Sequence, residues 1–163
     1  MIPFETIRSE IARGLSAVLS VKVIEINPPG DAPKLPFMTY DFSVGADESS
    51  GQPITTFDNG TVTMTETIEF IVDFQATAES RGQAMVVALS ARDWFVGAGH
   101  DALKYGAAAI VVVRADQVGN RDVQVGDEWT YQYGFEVTFR ATNVIEATAD
   151  TIVSAEVKET DNG

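Results

Sequence analysis

Residues 61–78 read TVTMTETIEFIVDFQATA and alternate from end to end. Val62, Met64, Ile68, Phe70, Val72, Phe74 and Ala76 fall on one side, and Thr61, Thr63, Thr65, Thr67, Glu69, Asp73, Gln75 and Thr77 on the other. A period of two is that of a half-buried strand, because successive side chains leave the pleat on opposite faces. At about 3.3 Å per residue the stretch reaches roughly 60 Å, more than a small domain covers. Its outer part therefore bends or projects, and Glu66, the acid on the apolar face, marks where it leaves the core. Just before it, Asp58-Asn59-Gly60 fits a tight turn that needs positive φ.

Upstream of that turn, Gly45 to Gly60 is rich in Gly, Ser, Asp and Pro and reads as a long exposed loop or arm. Ile54 and Phe57 within it join no local apolar stripe, which leaves two readings: they dock on a partner, or they tuck back onto their own domain. Val62 and Met64, at the outer end of the long strand, lack an evident partner within the chain. Ile54, Phe57, Val62 and Met64 are therefore the candidate subunit or partner interface.

Further out, Phe4, Ile7, Ile11, Leu15, Val18 and Leu19 recur at helical spacing and predict a helix from Pro3 to about Ser20. Val21 to Ile26 reads as a short edge strand, and Pro28, Pro29 and Pro33 then bar any helix or central strand. Leu35 to Val44 alternates, with Met38, Tyr40, Phe42 and Val44 on one face. On the downstream side, Ser80 is placed to cap a second helix reaching Val96, with Ala84, Val87, Ala88, Ala91 and Phe95 inward. A helical turn follows from His100 to Tyr105, then Ala107 to Arg114 as a buried strand, judged by its three valines. Asp116 to Glu128 reads as a loop or hairpin tip, Trp129 to Arg140 as a second long alternating strand, and Thr151 to Val157 as a last short one. The expectation is one α+β domain over 1–158: a two-layer fold with a mixed, mostly antiparallel sheet, two main helices and projecting loop or hairpin arms. Residues 159–163 are expected to form a frayed tail.

Composition narrows the function. The chain has 163 residues, 45% of them apolar, with 24 acids against 11 bases for a formal charge of −13. Scattered bases in an acidic chain do not grip phosphates. Without cysteine there are no disulfides, thiolate metal sites or Cys nucleophiles, and the single histidine, His100, rules out sites needing two imidazoles. Gly97-Ala98-Gly99-His100-Asp101-Ala102 matches a dinucleotide fingerprint in letters, but it follows a helix where that motif must follow a strand. His100 and Asp101 have no serine in a nucleophile-elbow setting to serve, and the histidine reads as a loop residue capping a helix end. Asp116, Asp122, Asp127 and Glu128 lack calcium-loop spacing. The aromatic ladder from Trp129 to Phe139 lacks the basic residues of a nucleic-acid stacking platform and reads as core and sheet face. Asn59-Gly60-Thr61 is turn chemistry, not a glycan acceptor. No segment reads as a signal peptide, and none approaches the roughly 20 apolar residues of a membrane span. The reading is no enzyme, no metal, no cofactor and no membrane.

Several segments occur together in a familiar order: Pro36-Phe37-Met38-Thr39-Tyr40, then Phe70-Ile71-Val72-Asp73-Phe74-Gln75, then Ala88-Leu89-Ser90-Ala91-Arg92-Asp93-Trp94-Phe95, then the late ladder Tyr131 to Phe139. Over roughly Ile2 to Val157 this order resembles the neck or tail-terminator proteins of tailed bacteriophages. The resemblance implies a small α+β structural protein that forms a hexameric ring on the finished tail tube, stops its growth and presents a surface to the head connector. It implies as partners further copies of the chain, the tail-tube protein and a head-completion or connector protein. Phage DNA would pass through the lumen without specific binding, which an acidic chain suits. The implied location is the neck of the virion, with the host cytoplasm as the place of assembly. Two readings stay open beside it: another head–tail joining, tail-completion or tail-tube protein, and a small ligand-binding or hydrolytic domain using His100 and nearby acids.

Overall fold

The long alternating stretch becomes the central strand of a mixed sheet in a computed structural model that describes residues 1–49 and 51–149. In chain order the elements are α1 (Phe4–Leu19), β1 (Lys22–Glu25), β2 (Phe37–Ser49), β3 (Ile54–Asp58), β4 (Thr61–Ala78), α2 (Arg81–Val96), α3 (Ala98–Lys104), β5 (Val111–Ala115), β6 (Gly119–Asn120), β7 (Val123–Val125) and β8 (Glu128–Thr148). The sheet runs β1-β2-β4-β8-β5, with β3 on β4 and with β6 and β7 on β8. β1 lies parallel to β2, and the other pairings are antiparallel. The fold is α+β. The strand expected over Thr151 to Val157 and the tail 159–163 lie outside the described residues.

β4 pairs with β8 without a register break, from Thr61 opposite Thr148 to Ala78 opposite Tyr131. Directly opposed residues share a face, so the aromatic rungs Phe70–Phe139 and Phe74–Phe135 stack across the strands, with centroids 5.3 and 5.6 Å apart. Both helices meet this face. Phe95 of α2 sits among Phe74, Phe135 and Phe139 at 4.8, 6.3 and 5.7 Å, while Phe4 of α1 lies edge-on to Phe42 and Phe70 at 5.5 and 5.9 Å. Ile7, Ile11 and Leu15 complete the α1 contribution, and Ala84, Ala88 and Ala91 keep α2 close to the sheet.

Local chemistry explains the helix ends and crossings. The Ser80 hydroxyl accepts from the Gln83 N–H at 3.2 Å and caps α2. Trp94 is held between α1 and α3 where glycines make room. A Cβ on Gly14 or on Gly99 would lie 2.4 Å from the indole, which accounts for one glycine of the fingerprint-like motif by packing. The Glu10 carboxylate accepts from the Ala107 and Ala108 N–H groups at 2.7 and 3.1 Å, fixing the turn before β5.

Some expectations are corrected. Gly45 to Gly60 is not one loop: β2 continues to Ser49 and β3 occupies Ile54–Asp58, because β4 offers unpaired backbone groups along its whole edge. The strand expected over Ala107 to Arg114 begins only at Val111. It lies at the sheet edge, so Val112 turns inward while Val113 faces solvent. Val18, expected on the inner stripe of α1, is exposed, as is Trp129 at the head of the aromatic ladder. The polar stretch Asp116 to Glu128 contains β6 and most of a hairpin in which β7 returns along β8. His100 lies inside α3 rather than in a loop.

Phe139 touches both Phe70 and Phe95 and is fully buried. Phe139→Ala is expected to lower unfolding free energy by about 3–5 kcal/mol, measured by urea denaturation with an unchanged slope.

Candidate functional site

The outer half of β4 carries the sheet beyond the helices. Ile68 and its partner Ala141 are the last buried rung, at 3% and 6% exposure. On the next rung of this face, the Asn143 amide donates to Glu66 at 2.8 Å, so the acid that interrupts the apolar pattern does stand at the root of a projection. Beyond it β3, β4 and β8 form a three-stranded arm. β3 continues the edge that β2 occupies further in, since Ser49 lies opposite Ile68 and Ile54 opposite Thr65. The tip turns at Asn59 and Gly60, whose φ values of 46° and 81° are those a two-residue hairpin turn demands. The Ala149 N–H donates to the Gly60 carbonyl at 2.8 Å and ties the end of β8 to that tip. At the root, the Met1 amino group donates to the Val144 carbonyl at 2.7 Å.

Register assigns the arm's two faces. Phe57, Val62 and Ala147 share a rung, as do Thr55, Met64 and Ile145, and both rungs continue the face that is aromatic core inside the body. Phe57 is 59% and Ile145 44% exposed, so this is core-type sheet surface with no helix of the described residues over it. Ile54 belongs to the opposite face, on a rung with Thr65 and Val144. The sequence candidates thus split: Phe57, Val62 and Met64 come together, and Ile54 stands behind them. Val62 and Met64 have strand partners on both sides within the chain, contrary to expectation, and are half-buried.

A second apolar surface was not among those candidates. Met85, Val86, Leu89 and Val96, on the outward side of α2, are 43%, 62%, 39% and 59% exposed. Its signal in the sequence is a helix with apolar residues on both sides, which a single inner face does not require. Arg92 lies among them, its guanidinium donating to the carbonyls of Asp116 and Ala115 at 2.7 and 3.1 Å.

The other face of the sheet is polar and paired. Asp41, Asp73 and Glu136 lie on one rung, and Arg121 grips Asp73 through two hydrogen bonds of 2.6 and 2.7 Å. Hydrogen bonding to Asp73 is the main cause that raises the Arg121 pKa. Gly134 leaves room for the grip, since a Cβ there would lie 2.6 Å from the guanidinium. Arg81 holds Asp122 at 2.8 Å. Desolvation pushes the Asp122 carboxyl up, but the Gln132 N–H, Asn120 and Arg81 together outweigh it, and its pKa falls below the ordinary value.

His100 Nδ1 and Asp101 Oδ1 are 3.3 Å apart near the surface. Among the described residues no three His, Asp or Glu side chains gather to hold a metal ion, and no helix is long and apolar enough to cross a membrane.

The described residues thus form a small α+β body with an arm whose apolar face none of their helices covers. The chain belongs to the phage neck terminator protein family, whose model matches residues 6–163. Its role is accordingly structural, at the joint between the head and tail of a phage, and its place is the virion. No curated protein matches the chain.

A lowered carboxyl pKa contributes stability that is complete above the ordinary value, near about 4, and drains away as pH falls through the lowered folded value. The melting-temperature gap between the native protein and Asp122→Asn is therefore expected to be constant near neutral pH and to close below about pH 4, as thermal melts across pH will read.

Proposed function

We propose that this chain is the terminator of the neck: a ring of about six copies that caps the tail tube, stops its growth and joins it to the head connector. The reading rests on family membership together with the arm, a length of core-type sheet carried past its own helices. Surface of that kind calls for a cover from outside the subunit. Where that surface meets a different surface of the next copy the contacts run head to tail, and they close into a ring when the rotation allows. Ile54, Phe57, Val62 and Met64 are assigned to contacts with neighbouring copies or with the tube.

The partners are then further copies of the chain, the tail-tube protein and the head-completion or connector protein. The charge of −13 suits a lumen through which DNA slides without sticking. The protein works without catalysis, metal or cofactor, and assembly takes place in the host cytoplasm before the virion is complete.

Native mass measurement with negative-stain imaging, alone and with purified tail tubes, tests this. Rings, or monomers that become rings on tube ends, are expected. A strictly monomeric protein that also fails to bind tubes overturns the reading. Phe57→Ser should abolish assembly while changing the unfolding free energy by no more than about 1 kcal/mol, since the ring it removes is exposed in the free subunit.

A further inference from the structure

The arm's apolar face, bare among the described residues, and the outward face of α2 match in apolar character and length and are opposite in charge. The arm presents Phe57, Val62, Met64 and Ile145 with one carboxylate, Glu66, on the same face at its root. That carboxylate has a neutral partner, Asn143, and among the described residues no cation. The helix presents Met85, Leu89 and Val96 along one stripe with one guanidinium, Arg92, between the last two; residues spaced by three and four share a side of a helix. That guanidinium is held by backbone carbonyls and, among the described residues, by no carboxylate, so they leave its positive charge uncancelled. The three strands of the arm carry Asp58, Glu66 and Glu146 beyond the last buried rung and no Lys or Arg, whereas α2 carries Arg81 and Arg92 against Asp93. From Ile68 to Thr61 the arm extends about 23 Å, and the 16 residues of α2 span about 24 Å.

We propose that in the assembled ring the core-side face of one subunit's arm lies on the outward face of α2 in the next copy, with Glu66 of one chain meeting Arg92 of the other. α2 is then covered on both sides, by its own sheet through Ala84, Ala88, Ala91 and Phe95 and by the neighbour's arm through Met85, Leu89 and Val96. The contact joins two different surfaces, so each copy offers one of each and the chain of contacts closes only as a ring. A neighbouring copy is the occupant favoured over the tail-tube protein because both halves of the contact, opposite in charge and matched in length, are on this one chain. The inference rests on the ring reading and supplies its interface.

The chain has no cysteine, so introduced thiols report single contacts. Met64→Cys protein and Leu89→Cys protein are made separately, mixed under assembling conditions, with tail tubes if these are required, and oxidised. The expected product is a disulfide-linked dimer holding one chain of each kind, absent when either variant is oxidised alone. Glu66→Arg is expected to weaken assembly about tenfold or more, and combining it with Arg92→Glu is expected to restore assembly. If rings form but the mixed dimer does not, this interface is overturned and the ring stands. Self-linked Met64→Cys dimers would show an arm-to-arm contact and overturn it too, as would linkage of either variant to the tube protein alone. Absence of rings under every condition overturns the ring reading and this interface together.

Discussion

Everything in this molecule hangs on the pairing of β4 with β8. The two strands keep one register over the full 18 residues of β4, and that register places Phe70 on Phe139 and Phe74 on Phe135. A slip of a single residue would turn every one of those rings to the polar face, because side chains alternate with a period of two. Phe95 then has nowhere to insert, and α2 loses its seat. The same register, followed outward, decides which side of the arm is apolar. The core and the arm's apolar side are therefore one face of one sheet, distinguished among the described residues by whether a helix lies over it.

The polar face is governed by the same pairing in a different way. Register brings Asp41, Asp73 and Glu136 onto one rung, an unfavourable row of like charges. Arg121 answers it from the loop between β6 and β7, reaching across Gly134 to grip Asp73. The segment preceding β8 is thus anchored through charge to the face opposite the helices, while Glu10 anchors the turn before β5 on the helical side through backbone N–H groups. In a chain of net charge −13, Arg8, Arg81, Arg114, Arg121 and Arg140 are each held by a carboxylate.

Much of this was readable in the residues alone. The helical spacing of Ile7, Ile11 and Leu15, the cap at Ser80, the turn at Asn59-Gly60 and the excess length of β4 each follow from local physics, and each is present. Glu66 as the boundary of the core was readable too, since an acid on an apolar face needs either a partner or solvent. What local physics does not carry is pairing at a distance. Gly45 to Ser49 has poor strand formers and becomes strand because β4 offers hydrogen bonds. The valines of β5 have strong strand propensity but sit at an edge, so burial does not follow for Val113. The outward side of α2 was missed because an inner stripe, once found, explains a helix; Met85, Val86 and Leu89 needed a second explanation.

The span of β8 has a consequence for how the chain reaches this structure. β2, β3 and β4 are joined by short links and can zip from the Asn59-Gly60 turn as a local hairpin. β8 pairs with β4 across sequence separations as long as that from Thr61 to Thr148 and is made well after those three on the ribosome. Until it docks, the hairpin shows an apolar face and an open edge together, the combination that strands use to aggregate. The row of threonines on the other face of β4 and the acids Asp58, Glu66, Glu69 and Asp73 then act as a solubility guard during that interval. The acids of the finished arm thus also serve its own nascent sheet.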